Sequence, residues 1–140
     1  MLLEEFGELP LVVEDLGDID AAVYELRDTF NFPGMAVLQF GFSESKPNEH
    51  TPCNVLKNSL AYTGTHDCDT TLGWWHTQKP DVQDRVRRYC SSDGNDIVWD
   101  IIRMTMSSVA QMAIIPMQDV LCLGTESRMN TPGTVSGNWS

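Results

Sequence analysis

Apolar residues fall into short runs along this chain, separated by polar stretches. Leu11-Val12-Val13 breaks into Glu14-Asp15-Leu16-Gly17, after which Asp18 or Asp20 can cap a helix with apolar positions Ala22, Val23, Leu26 and Phe30. Pro33-Gly34 ends that helix. Met35 to Phe40 then forms an apolar run with little alternation, the pattern of a strand buried on both faces. From Ser43 to Asn58 the chain is polar and interrupted by Pro47 and Pro52, which predicts a long loop. Ser59 to Thr63 predicts a further strand, running directly into Gly64-Thr65-His66-Asp67-Cys68-Asp69-Thr70-Thr71. Apolar spacing predicts helices over Pro80 to Tyr89 and Asp96 to Gln111 and a strand over Ala113 to Val120, and the Gly- and Pro-rich stretch from Gly124 to Trp139 predicts a loop.

Strands alternating with helices require a parallel sheet covered by helices, and such sheets carry their chemistry at the carboxyl ends of the strands. Glu14-Asp15, His66-Asp67 and the loop from Arg128 to Trp139 each follow a predicted strand, so groups distant in sequence are expected to converge. Carboxylates on separate strands suit glycoside chemistry, in which one carboxyl group exchanges a proton while others stay ionised beside an oxocarbenium-like transition state. Trp139 and Tyr62 offer flat faces for sugar rings. Trp74 and Trp75 fit that role and a plain core role equally well.

With 20 acidic and 9 basic residues among 140, the formal charge is −11, which repels phosphate backbones; only Arg85, Arg87 and Arg88 cluster, so nucleic acid is not an expected partner. No apolar run approaches the roughly 18 residues that a membrane helix needs, so no membrane partner is expected either. Cys53, Cys68, Cys90 and Cys122 form no Cys-x-x-Cys pair and no tight framework, which predicts reduced thiols and an intracellular protein. His66, Asp67, Cys68 and Asp69 are dense enough to suggest a metal, but no second ligand pair stands at a recognisable spacing, and none is expected.

Five motifs stand in one order. They are Val13-Glu14-Asp15-Leu16-Gly17, Phe32-Pro33-Gly34-Met35 continuing through Val37-Leu38-Gln39-Phe40, Tyr62-Thr63-Gly64-Thr65-His66-Asp67 with Asp69-Thr70, Gly73-Trp74-Trp75, and Arg128-Met129-Asn130 with Pro132-Gly133 and Gly137-Asn138-Trp139. Together they resemble the 4-α-glucanotransferases called amylomaltases or disproportionating enzymes, over nearly the whole chain.

The resemblance implies an α/β fold, a (β/α)8 TIM barrel that typically takes about 250 residues. Residues 1–140 would then be part of one catalytic domain: the C-terminal half of the barrel, strands five to eight, with no second domain. It implies transfer of α-1,4-glucan segments between maltooligosaccharides, starch or glycogen chains by a retaining double displacement, without cofactor or metal. Glu14 is implied as the general acid/base and Asp67 as the carboxylate that stabilises the transition state. His66, Asp15, Asn130, Pro132 and Trp139 are implied as substrate-binding residues. The nucleophile, an Asp ending the fourth strand, has no counterpart, so this stretch alone is expected to be inactive. A glucan hydrolase on the same barrel, or a non-catalytic glucan-binding piece, are the competing expectations. The compartment would be the cytoplasm in a bacterium and the plastid stroma in a plant or alga. Cys53 and Cys68 depart from the family pattern, standing where relatives have His and Asn.

Overall fold

The computed structural model describes residues 11–17, 19–43 and 46–139 of the chain. Its centre is a parallel three-stranded sheet of β1 (Gly34–Val37), β2 (Ser59–Tyr62) and β3 (Met112–Ile114), in the order β1-β2-β3. The register aligns Met35 with Leu60 and Met112, Ala36 with Ala61 and Ala113, and Val37 with Tyr62 and Ile114. Because side chains alternate across a pleated strand, Ala36, Ala61 and Ala113 share one face, and Met35, Leu60, Tyr62, Met112 and Ile114 share the other.

The alanine face receives the helices. Three helices follow β2: α3 (Thr71–Thr77), α4 (Pro80–Cys90) and α5 (Ile97–Met106). Val82 and Val86 of α4, with Ile97, Val98, Ile101 and Ile102 of α5, meet Ala61, Leu38, Phe42 and Trp75 in one core. The small alanine row lets these branched side chains approach the sheet closely, and truncating a buried Ile such as Ile101 to Ala would cost about 2–5 kcal/mol. α4 begins with Pro80 at a position whose N–H has no helical partner, carries Arg87 and Arg88 in its last turn, and ends at Ser91 in the left-handed region, φ 52°. The opposite sheet face is partly bare, with Met112 56% and Ile114 36% exposed.

The helix α1 (Ala21–Thr29) is capped by Asp20, whose carboxylate accepts from the N–H groups of Ala22 and Val23; of the two expected caps, Asp18 lies outside the described residues. Its apolar positions Val23 and Leu26 stay exposed, as does Phe30 just beyond it.

Four expectations about elements are corrected. Leu11–Val13 joins no ladder; Val13 N–H bonds the Pro33 carbonyl at 3.2 Å, while the outer edge of β1 is closed by side chains, Met35 N–H bonding Asp15 Oδ1 at 2.8 Å and Val37 N–H bonding His50 Nδ1 at 3.3 Å. The strand expected through Phe40 stops at Val37 and turns into the short helix α2 (Leu38–Gly41), where Gly41 lies so close to the His50 carbonyl that a Cβ would sit 2.5 Å from it. The strand expected over Ala113 to Val120 stops at Ile114, because Pro116 has no N–H for a ladder, and α6 (Met117–Val120) follows. The helix expected to Gln111 ends at Met106, since Gln111 N–H already bonds Ser59 O at 3.0 Å and leads into β3. Helix α3 was not expected at all; Thr70 caps it by accepting from Gly73 N–H at 3.1 Å.

No described helix is long and apolar enough to cross a membrane.

Candidate active site

A cleft of about 730 Å³ opens on the carboxyl-end side of the sheet, and Glu14, Tyr62, His66, Asp67, Met35 and Met129 are among its lining residues. Five stretches of the chain build it: residues 12–17, Met35 with Phe40, the end of β2 with the turn after it, Ile114 with Pro116 at the end of β3, and Met129 in the loop after α6. This is the convergence that strand-end placement predicts.

Glu14 is exposed at the cleft, and its neighbour Asp15 fixes the backbone beneath it. Asp15 is 8% exposed, and its second carboxylate oxygen accepts from Arg27 Nη1 of α1 at 2.7 Å. Arg27 and the Met35 amide each hold one oxygen of this carboxylate, and the side chain lies outside the lining of this cleft. Gly34 makes room for it: a Cβ there would stand 2.2 Å from Asp15 Oδ2. The Tyr62 phenol is held above the usual tyrosine range, first by burial and then by the Glu14 charge.

After β2 the chain turns through Gly64, where a Cβ would fall 2.6 Å from Gln39 Nε2, and presents His66 and Asp67. Their side chains are about half exposed, with His66 Nε2 3.4 Å from Asp67 Oδ1. Asn130 Nδ2 donates to the same Asp67 oxygen, and Arg128 Nη2 donates to the Asp67 carbonyl at 2.7 Å. Asn130 N–H bonds the His66 carbonyl at 3.1 Å, and Arg128 Nε bonds the Asn130 carbonyl at 2.9 Å. The Trp139 ring lies over His66, centroids 5.2 Å apart and planes tilted by 34°. Asn130 thus reaches Asp67 itself.

Pro132 is exposed and outside the cleft lining, on a turn that Asn138 holds by accepting from Thr131 N–H at 2.9 Å. Trp75 is buried with Arg87 stacked 5.2 Å from its ring, and Trp74 packs beside the core near Phe42, so both take the core role. The two departing cysteines also lie outside the cleft lining. Cys53 Sγ is 3.5 Å from Tyr89 Oη, and Cys68 Sγ is 3.4 Å from Thr65 Oγ1. All four cysteines are free. No group of three or more His, Cys, Asp or Glu among the described residues could hold a metal ion.

The family model described as 4-alpha-glucanotransferase matches residues 1–140. The chain belongs to the 4-alpha-glucanotransferase family. It is 50% identical over 133 residues to the 4-alpha-glucanotransferase of Synechocystis sp., covering 94% of this chain and 26% of that protein. It is 47% identical over 140 residues to the chloroplastic/amyloplastic 4-alpha-glucanotransferase of Solanum tuberosum, covering 99% of this chain and 24% of that one. The solved amylomaltase from Streptococcus agalactiae in complex with acarbose superposes with a TM-score of 0.94 at 36% identity, over 99% of this chain and 28% of the amylomaltase chain. The chain therefore spans about a quarter of the length of the family members it matches.

Sequence reasoning did not single out Gln39, Asp119 or Arg128 as acting on the site. Pro116 was the available signal for Asp119, since it divides the apolar run and frees the following residues from the sheet.

Proposed function

We propose that the protein carrying this segment is a 4-α-glucanotransferase that moves α-1,4-glucan segments between maltooligosaccharides, starch or glycogen chains, inside the cell or plastid. In this reading residues 1–140 belong to one catalytic domain and supply strands five to eight of a (β/α)8 barrel. The partly bare apolar row of Met112 and Ile114 supports that arrangement, because closing strands would cover it.

The observation that carries the reading is that Glu14, after the ladder-free stretch 11–13, and Asp67, in the turn after β2, line one cleft in which Asp67 is already engaged by Asn130. Glu14 protonates the leaving glycosidic oxygen and then takes the proton from the incoming sugar hydroxyl. Asp67 stays ionised and faces the positive charge that develops on the sugar ring. A carboxylate from a barrel strand outside the three seen here makes and releases the covalent glycosyl intermediate. His66, with the tilted Trp139 ring beside it, binds sugar next to Asp67. Water exclusion by a sugar in the acceptor position makes transfer, rather than hydrolysis, the main outcome.

The test is Glu14→Gln in the complete enzyme. The amide cannot exchange a proton, so release of glucose from maltotriose should fall by about 10²–10⁴-fold, the usual worth of general acid–base catalysis, while maltooligosaccharide binding persists. Near-normal glucose release would overturn the assignment of Glu14.

A further inference from the structure

We propose that Asp119 is a positioning residue that staples both ends of the turn carrying His66 and Asp67, an inference that rests on the reading of Asp67 as the ionised carboxylate of the cleft. Asp119 lies on α6, is 1% exposed, and makes no ion pair with Lys or Arg among the described residues. Its Oδ1 accepts from Thr71 N–H at 2.7 Å, and its Oδ2 accepts from Thr71 Oγ1 at 2.7 Å and from Thr63 Oγ1.

Thr63 directly follows β2 and Thr71 opens α3; both are fully buried. One carboxylate therefore grips the last residue before the turn and the first residue after it. Burying a carboxylate is costly unless each oxygen is satisfied, and here three donors supply that. The turn between them has further ties, Gln39 Nε2 to the Asp69 carbonyl at 3.0 Å and Thr125 Oγ1 to Asp69 Oδ2 at 2.9 Å. Asp119 differs from these in holding the two ends at a fixed separation. That separation decides where the Asp67 carboxylate stands relative to Asn130, and a displacement of about an ångström at such a group costs on the order of a hundredfold in rate.

The test is made in the complete enzyme with Asp119→Asn, Thr71→Val, Thr63→Val and the conservative Thr71→Ser. Each Val variant removes one charge-assisted hydrogen bond and should raise amide hydrogen exchange across residues 64–71 about tenfold and lower kcat/KM for maltotriose about tenfold, with Asp119→Asn larger in both. Thr71→Ser keeps the hydroxyl and should behave as the parent. In an Asp67→Asn background, Asp119→Asn should lower the residual rate no further, because its effect passes through Asp67. A full further loss in the Asp67→Asn background would overturn the proposal, and so would unchanged exchange in the Val variants, which decides it even if Asp119→Asn does not fold. If Asp67→Asn alone keeps near-normal turnover, the reading of Asp67 fails and takes the positioning role with it, while faster exchange still registers the staple as a separate fact.

Discussion

Asp67 and Glu14 line the same cleft, yet their surroundings differ. Around Asp67 the backbone and side chain are tied by Asn130, Arg128 and His66, and the ends of its turn by Asp119. Around Glu14 the contacts stop one residue short: Asp15 takes Arg27 and the Met35 amide, and no hydrogen bond among the described residues ends on the Glu14 carboxyl. A carboxylate that must keep its charge and place gains from a dense polar network, whereas one that gives and takes a proton needs its oxygens free for substrate. The contrast also separates two ways of holding a carboxylate-bearing segment, by donors reaching in from other loops or by an ion pair underneath.

The largest effect expected on this contrast comes from Asp15→Asn. It takes away the buried partner of Arg27 and leaves only the exposed Asp28 on that guanidinium, so the loss should lie near the lower end of the about 3–5 kcal/mol that breaking a buried pair costs. Thermal unfolding of the complete enzyme should shift accordingly. A variant with unchanged stability but poor sugar binding would put Asp15 in the cleft after all and erase the distinction between the two arms.

Next in size is Asn130→Ala. Loss of a hydrogen bond to a charged acceptor should lower kcat about tenfold with little change in stability, since the Asn130 backbone bond to His66 survives. Steady-state kinetics on maltotriose together with a thermal melt decides it. A large loss of stability with unchanged kcat in the folded fraction would make the Asp67 network structural.

The smallest effect concerns His50, which closes the β1 edge beside Asp15. Burial holds its imidazole below the usual histidine range, against the opposing pull of Glu49 and Asp15. The neutral ring accepts the Val37 N–H, and a proton on Nδ1 would abolish that bond. As pH falls below about 6.5 the unfolded chain takes up this proton before the folded one does, so folding weakens; above that range the contribution is fully present. Melting temperatures at about pH 7.5 and about pH 5.5 should therefore fall further for the parent than for His50→Gln. Equal falls would remove His50 from the account of this edge.

Local periodicity was enough to read the parallel α/β plan, the start of α4 and the cap of α1, because these depend on neighbours within a few residues. The residues Glu14, His66 and Asp67 could be picked out by their position just past apolar runs. The partners of Asp15, Arg27 and the Met35 amide, are 12 and 20 residues away, and nothing local marks them. Asp119 was hidden for the same reason, its donors lying 48 and 56 residues off. Trp74 and Trp75 could not be decided from sequence, since a buried ring and a sugar platform need the same side chain; the Arg87 contact and the core around Trp75 settle their placement.

The order β1-β2-β3 in space is also their order along the chain, and this bears on how the sheet assembles. Each strand docks on its predecessor in the chain, although the paired residues already lie 25 and 52 positions apart. The crossover from β2 to β3 is about twice as long as that from β1 to β2, and by chain-closure entropy the longer one costs only about 0.6 kcal/mol more. Parallel pairing across crossovers of this length is nonetheless slow, because each closure precedes the contacts that offset it.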